Sequence, residues 1–256
     1  GTRRVRIFTP GREVPFAGHP TVGTAFFLVA EGLVPLEGDE VTVVLEEEVG
    51  PVPVKVTARE GRVVAADLTA AAPPREVPVP WSVAESGALV SRPAEAVGMD
   101  GAAVGVRGEL LPAFASAGLA FLVLPVRTLE QAEAAALDSG VWARLLPPGS
   151  ESRMVYVVAP GGRGDGVDLH VRMFGPDVGV PEDPATGSAA AALGGYLGFR
   201  AADGEHRWTL EQGVEMGRPS RLGLSVEVAG SVASRIRVGG PAVLMSRGTM
   251  RVPEGS

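Results

Sequence analysis

The chain has 256 residues, 45% of them hydrophobic and 21% charged, with a formal net charge of −7 and no cysteine. That composition excludes a disordered chain, thiol catalysis, disulfides and thiolate metal sites, and an acidic balance without a long basic tract disfavours a nucleic-acid partner. Three histidines (His19, His170, His206) are too few for a His-rich metal cluster, and Lys55, the single lysine, is the lone candidate for Schiff-base chemistry. No apolar run approaches a membrane span and the opening GTRRVRIFTP has no apolar signal segment, so no membrane partner and a cytoplasmic location are expected.

In chain order, the strand-like run RRVRIFT precedes a helical stretch, HPTVGTAFFLVAEG, that starts at His19. The runs DEVTVVLEE, VPVKVTA and RVVAADLT come next, then a Pro-rich connection, AAPPREVPVPW, from Ala71 to Trp81. LAFLVLPV reads as a strand, TLEQAEAAALD as a helix, and RMVYVVAP and DLHVRMF as strands. After a loop, GPDVGVPEDP, the stretch DPATGSAAAALGGYLG reads as a helix, and HRWTLEQG, LGLSVEVA and RIRVGG close the pattern as strands. Many short strands with few helices predict an α+β fold and not a parallel βαβ sheet.

Two stretches repeat each other. VRIFTPGREVPFAGHPTVGTAFFL begins at Val5 and VRMFGPDVGVPEDPATGSAAAAL begins at Val171, with Pro10 opposite Pro176 and the loop of the second copy two residues shorter. Each copy reads strand, irregular loop, polar residue, proline, helix. Two similar halves that divide near residue 115 are expected, although a reused packing unit without catalytic meaning would leave the same trace.

Each copy places a polar side chain just before a proline at the expected first helical turn: His19 before Pro20, Asp183 before Pro184. The small residues after each proline, Thr21 and Gly23 in one copy and Thr186, Gly187 and Ser188 in the other, leave first-turn N–H groups open to an anion. Two such helix starts facing one cleft would hold a small carboxylate between an imidazole and a carboxyl group, a geometry suited to moving a proton. Each residue also has a plain structural reading. Asp183 can serve as an N-cap, His19 as a satisfied loop histidine, Thr186 and Ser188 as caps, and Glu182 as a solvated loop charge. The duplication favours function for His19 and Asp183 and not for Glu182. His170 and His206 are expected to be structural or exposed, and the run Glu46-Glu47-Glu48 to be solvated surface.

At these residues the sequence resembles the PhzF-like, phenazine-biosynthesis family, which has the diaminopimelate epimerase type of fold. The similarity runs through RIFTPGREVPFAGHPTVGTA, FASAGLAFLVLPV, VRMFGPDVGVPEDPATGSA and LEQGVEMGRPSRLGLSVEV, and covers nearly the whole chain. It implies two similar domains, 1–115 and 116–256, each a curved, mostly antiparallel sheet or barrel around a central helix, with the active cleft between them. It also implies a homodimer, no metal or organic cofactor, and isomerisation of a small carboxylate-bearing metabolite such as dihydro-hydroxyanthranilate by acid/base proton transfer. The resemblance carries the proton-handling roles to His19 and Asp183, and substrate binding to Gly18, Gly187 and Ser188. It sets Gln212 to Ser220 near the cleft, with Met216 and Arg218 in or under its wall. Epimerases of this fold that use two cysteines are excluded by composition. A small-acid binding protein without chemistry, and a racemase- or epimerase-like enzyme of another substrate, are the alternatives. The family's principal acid/base, a glutamate in an SET-like motif upstream of the RIFTP strand, has no counterpart in a sequence that starts at Gly1-Thr2. The expectation is a piece of a longer chain whose upstream part supplies it. These 256 residues alone are expected to show little isomerase activity and to expose a sheet edge.

Overall fold

Period-two burial marks the long strands between Glu40 and Thr69 and between Gly204 and Gly240. In the computed structural model, which describes residues 1–8, 13–14, 17–70, 72–230 and 232–249, the first part carries β1 (Arg3–Arg4), β2 (Ile7–Phe8), β3 (Glu13–Val14), α1 (Gly18–Ala30), β4 (Glu40–Glu47), β5 (Gly50–Arg59) and β6 (Arg62–Thr69). Next come β7 (Arg75–Pro78), α2 (Val83–Leu89), β8 (Met99–Asp100), β9 (Glu109–Leu110), β10 (Ala113–Ser116), β11 (Ala120–Pro125), α3 (Leu129–Glu133) and α4 (Ser139–Leu145). The chain continues through β12 (Val155–Pro160), β13 (Leu169–Gly175), β14 (Val180–Asp183), α5 (Gly187–Gly198), β15 (Gly204–Gln212), β16 (Ser220–Ala229) and β17 (Val232–Gly240). Residues 9–12, 15–16, 71 and 250–256, which the sequence reading included, lie outside the described residues.

The strands form a mixed sheet in the order β1-β4-β5-β6-β17-β16-β15-β13-β12-β11-β10-β7, with β14 added on β13. Together with few helices this is an α+β fold. α1 buries Thr21, Ala25, Leu28 and Val29, a helical spacing that seats one face on the Val43, Leu45, Val54, Val56 and Ala66 side of β4 to β6. α5 is buried all round from Ala189 to Gly198. Its composition makes that possible: a methyl group at Gly194 would stand 2.8 Å from Leu224, one at Gly195 2.5 Å from Pro74 and one at Gly198 2.8 Å from Ala233.

The two parts of the sheet meet where β6 and β17 pair, Leu68 opposite Val238 and Asp67 opposite Gly239. Gly239 is required there, because a Cβ would come within 2.6 Å of Asp67 Cα and collide with Ala66 O. The expected division between residues 115 and 116 falls inside β10, which is paired on one side with β11 and on the other with β7. Ala113, Phe114 and Ala115 belong to cores whose buried residues run from Leu89 onward, whereas the buried residues of the core around α1 are drawn from residues 25–66. The hairpin hydrogen bonds thus keep β10 with β11 and the later strands.

Three local readings need correction. The TLEQAEAAALD helix is confined to Leu129–Glu133. Two short helices lie where none was read, α2 behind a capping box in which Ser82 and Glu85 bond each other's backbone, and α4 behind the cap Asp138. The Pro-rich connection contributes β7 to the sheet edge.

Candidate active site

The two helix starts that the repeat singles out come together. A methyl group placed on Gly18 would stand 3.7 Å from Gly187 Cα and 4.0 Å from Ser188 N, ordinary van der Waals contact between the first turns of α1 and α5. Between them opens a cavity of about 390 Å³ lined by Gly18, His19 and Gly23 of α1, Gly187 of α5, Leu68 of β6, and the Leu222 and Val238–Gly240 stretches of β16 and β17. Neither helix start receives a side-chain cap, and the first intrahelical bonds run from Thr21 N to Ala17 O and from Ala190 N to Thr186 O. The amides of Gly18, His19, Gly187, Ser188 and Ala189 therefore have no intrahelical acceptor, and two positive helix ends converge on one space. Helix starts with free N–H groups are disposed to receive an anion.

His19 is exposed at the cavity wall. Asp183 and Ser188 are half-buried and are not among the described residues that line this cavity. The expected helix start at Pro184 is also corrected. α5 begins at Gly187 behind Thr186, so Asp183 ends β14 and is not an N-cap, while in the first copy α1 already begins at Gly18. The Asp183 carboxylate instead accepts the Thr186 hydroxyl at 2.5 Å. Tyr156 lies close by, and burial with the Asp183 charge pushes its phenol far up.

The reason the second helix starts late is a contact from 26 to 29 residues downstream. Gln212, fully buried, donates from Nε2 to Asp183 O at 2.7 Å and to Thr186 Oγ1 at 2.9 Å, and its Oε1 accepts Thr186 N at 3.2 Å. These bonds hold residues 183–186 extended. Gly213 presses on the same segment. Its φ is +79°, and a Cβ would stand 2.9 Å from both Pro184 Cα and Pro184 O, so the turn accepts only glycine. Beyond it, Arg218 is exposed and Met216 half-buried, and the cavity wall is made by Pro219 to Leu222.

Glu182 is not a solvated loop charge. Arg172, almost fully buried, grips it through Nε at 2.8 Å and Nη2 at 2.9 Å, and spends Nη1 on the carbonyls of Ala132, Glu133 and Ala135. Behind Arg172 lies His170, fully buried, with Nδ1 3.2 Å from Glu211 and Nε2 2.9 Å from Glu215. Sequence reasoning missed this cluster, which braces β14 and the turn after β15 on both flanks of Asp183. Two acceptor-only partners require both ring nitrogens to carry hydrogen. Burial alone would lower the His170 pKa, but the two carboxylates outweigh it and raise it. Burial likewise pushes Glu211 and Glu215 up, and their hydrogen bonds bring both below the ordinary range. The raised histidine stabilises the fold fully below its unfolded value of about 6.5, and that contribution is lost as pH rises through the folded value. The depressed carboxyls contribute above about 4.3 and lose it as pH falls through their folded values. The cluster is thus at full strength between about pH 4.5 and 6.5. Thermal melts across pH are expected to show a decline above that window that His170→Gln removes; an unchanged pH profile in the variant would refute the assignment.

Among the described residues no group of three or more His, Asp or Glu side chains is disposed to hold a metal ion, and no helix is long and apolar enough to cross a membrane.

A family model described as phenazine biosynthesis-like protein matches residues 1–248. An uncharacterized isomerase of Mesorhizobium japonicum is 38% identical, covering 96% of this chain and 79% of that protein. The trans-2,3-dihydro-3-hydroxyanthranilate isomerase of Pseudomonas aeruginosa is 33% identical, covering 97% and 79%. Among solved structures, a phenazine biosynthesis protein of the PhzF family from Bacillus anthracis superposes with a TM-score of 0.77 at 23% identity, covering 93% of this chain and 77% of that one.

Proposed function

The chain belongs to the phenazine biosynthesis-like protein family, and we propose that it is an isomerase that shifts a proton within a small, unsaturated, carboxylate-bearing metabolite. The observation that carries this reading is the convergence of two uncapped helix starts, at Gly18 and Gly187, on one cavity beside His19. The substrate carboxylate lies against the first-turn amides of both helices, with Gly18 and Gly187 keeping the approach clear and the Ser188 hydroxyl adding a donor. His19 at the cavity wall and Asp183, two residues before the lining residue Ala185, then handle the proton. One group takes it from a substrate carbon, the double bond moves, and a proton is returned to a different carbon, so the substrate is neither oxidised nor reduced. Such a step calls on acid/base side chains alone, and the proposal includes no metal or organic cofactor. A homodimeric state in the cytoplasm completes it.

The relative from Pseudomonas aeruginosa makes trans-2,3-dihydro-3-hydroxyanthranilate the first substrate to offer. Saturable conversion of this acid, or of a related unsaturated cyclic amino acid, by the full-length protein is expected in a proton NMR assay. Saturable binding without conversion would instead identify a small-acid binding protein.

A further inference from the structure

Glu47 is a buried carboxyl group beside the α1 helix start that the proposed reaction leaves unused. β4 alternates, so Val43, Leu45 and Glu47 share its core-facing side, and Glu47 is only 7% exposed while its neighbours Glu46 and Glu48 are exposed. The solvated surface expected for this run therefore holds for two of its three members. Glu47 reaches the first turn of α1. Its Oε1 lies 2.6 Å from the hydroxyl of Thr21, which is fully buried, and the same hydroxyl lies 2.7 Å from Ala17 O. A hydroxyl has one hydrogen to give, and both neighbours are acceptors if Glu47 is ionised. Only a protonated Glu47 satisfies both contacts, with Glu47 donating to Thr21 and Thr21 donating to Ala17. Glu47 Oε2 is buried with no hydrogen-bond partner among the described residues, a position that suits a neutral acid and penalises an anion.

The charged groups around it do not reverse this. Arg4, Arg6, Glu13, Glu46 and Glu48 line, together with Glu47 itself, a surface pocket, and Arg6 is taken by Glu13 through Nε at 2.8 Å and Nη2 at 2.8 Å. On α1 the titratable side chain is His19, exposed on the cavity side of the same turn. Among the described residues no cation forms an ion pair with Glu47. Burial accordingly pushes its carboxyl above the ordinary glutamate range.

We infer that Glu47 is a positioning residue for the α1 wall of the cleft, a neutral carboxylic acid that donates to Thr21 and through it fixes Ala17 and the turn bearing Gly18 and His19. The consequence for the reaction rests on the isomerase reading; the placement of the turn does not. As pH rises through the Glu47 midpoint, the donor is lost and the turn loosens.

The test uses the full-length protein and carboxyl ¹³C NMR, with the Glu47 signal assigned by its loss in Glu47→Gln. The expected midpoint lies above the ordinary glutamate value of about 4.3. Thr21→Val, which keeps the shape and removes the hydroxyl, is expected to move the Glu47 midpoint and the Gly18 and His19 amide resonances. Glu47→Gln is expected to leave those amides in place, because its NH₂ donates to the same oxygen. With trans-2,3-dihydro-3-hydroxyanthranilate, kcat is expected to fall about tenfold or more in Thr21→Val and to be kept in Glu47→Gln without the decline at high pH. An ordinary or depressed Glu47 midpoint, or Gly18 and His19 amides that ignore Thr21→Val, would overturn the inference. These spectral readouts need no substrate, so they stand or fall apart from the isomerase reading. If Glu47→Gln does not fold, the Thr21→Val comparison decides alone.

Discussion

Replacing Asp183 with Asn in the full-length protein is expected to lower kcat by about 10²–10⁴, the contribution of a positioned acid or base, while moving Tm by no more than about 2 °C. The structure explains why the two effects separate. Asn has the shape of Asp, and its amide oxygen can accept the Thr186 hydroxyl in place of the carboxylate oxygen. The main chain at Asp183 is held by Gln212, whose bond goes to the carbonyl and does not involve the side chain. Asn cannot take a proton from carbon or return one at ordinary pH, so only the chemical step is removed. A variant that keeps its rate with trans-2,3-dihydro-3-hydroxyanthranilate would end the proton-handling role of Asp183. A variant that loses its fold would show instead that the carboxylate is a structural acceptor.

The second large effect concerns stability. Arg172→Met is expected to cost about 3–5 kcal/mol, a sizeable part of a domain's total, and to lower Tm by about 6–20 °C. Methionine fills much of the same space but removes both bonds to Glu182 and the three to Ala132, Glu133 and Ala135. Glu182, with 18% of its side chain exposed, would then hold a charge with no partner among the described residues. Lysine is no remedy, since an ammonium cannot reproduce the fork that meets Glu182 through two nitrogens. Adding Glu182→Gln to Arg172→Met removes the stranded charge and is expected to recover part of the loss. Differential scanning calorimetry on the single and double variants checks both statements. A single variant that melts with the wild type would show that the pair contributes nothing, as some buried pairs do relative to apolar replacements.

Much of this fold was legible in the residues. Alternation placed β4, β5, β6, β15, β16 and β17 close to where they lie, because each has one face on a core, while β12 and β13, buried on both faces between two cores, were marked by their β-branched apolar runs. The repeated strand–loop–helix unit likewise pointed to His19, Gly23 and Gly187, which do share a cavity, and to Asp183 and Ser188, which do not line it. Where the reading went astray, contacts distant in sequence had overruled local signals. Pro184 looked like a first helical residue, yet Gln212 and Gly213 hold it outside the helix. The cluster of Arg172, Glu182, His170, Glu211 and Glu215 joins residues from strands and a turn far apart in the chain, and no local pattern announces such a pairing. Glu47 is a different case. The alternation Val43, Leu45, Glu47 was present in the sequence, but a run of three glutamates reads as surface unless the strand period is carried through to its end.

The same packing explains how the site can be both rigid and open. Gln212, Gly213 and the Arg172–Glu182 pair fix the segment that bears Asp183, and the β6–β17 junction at Gly239 sets the floor between the two helix starts. A proton transfer needs its groups held within a narrow range of positions, and in the proposed site Gln212, Gly213 and Arg172, which do not line the cavity, hold the segment that bears Asp183.

The most direct measurement is deuterium incorporation. The full-length protein is incubated in D₂O with trans-2,3-dihydro-3-hydroxyanthranilate and related unsaturated cyclic amino acids, and carbon-bound deuterium is read by NMR and mass spectrometry. An acid/base isomerase is predicted to give an isomerised product that carries a solvent deuteron on carbon, with the incorporation suppressed in Asp183→Asn. Tight binding of such an acid with no deuterium in substrate or product would contradict the proton-transfer mechanism.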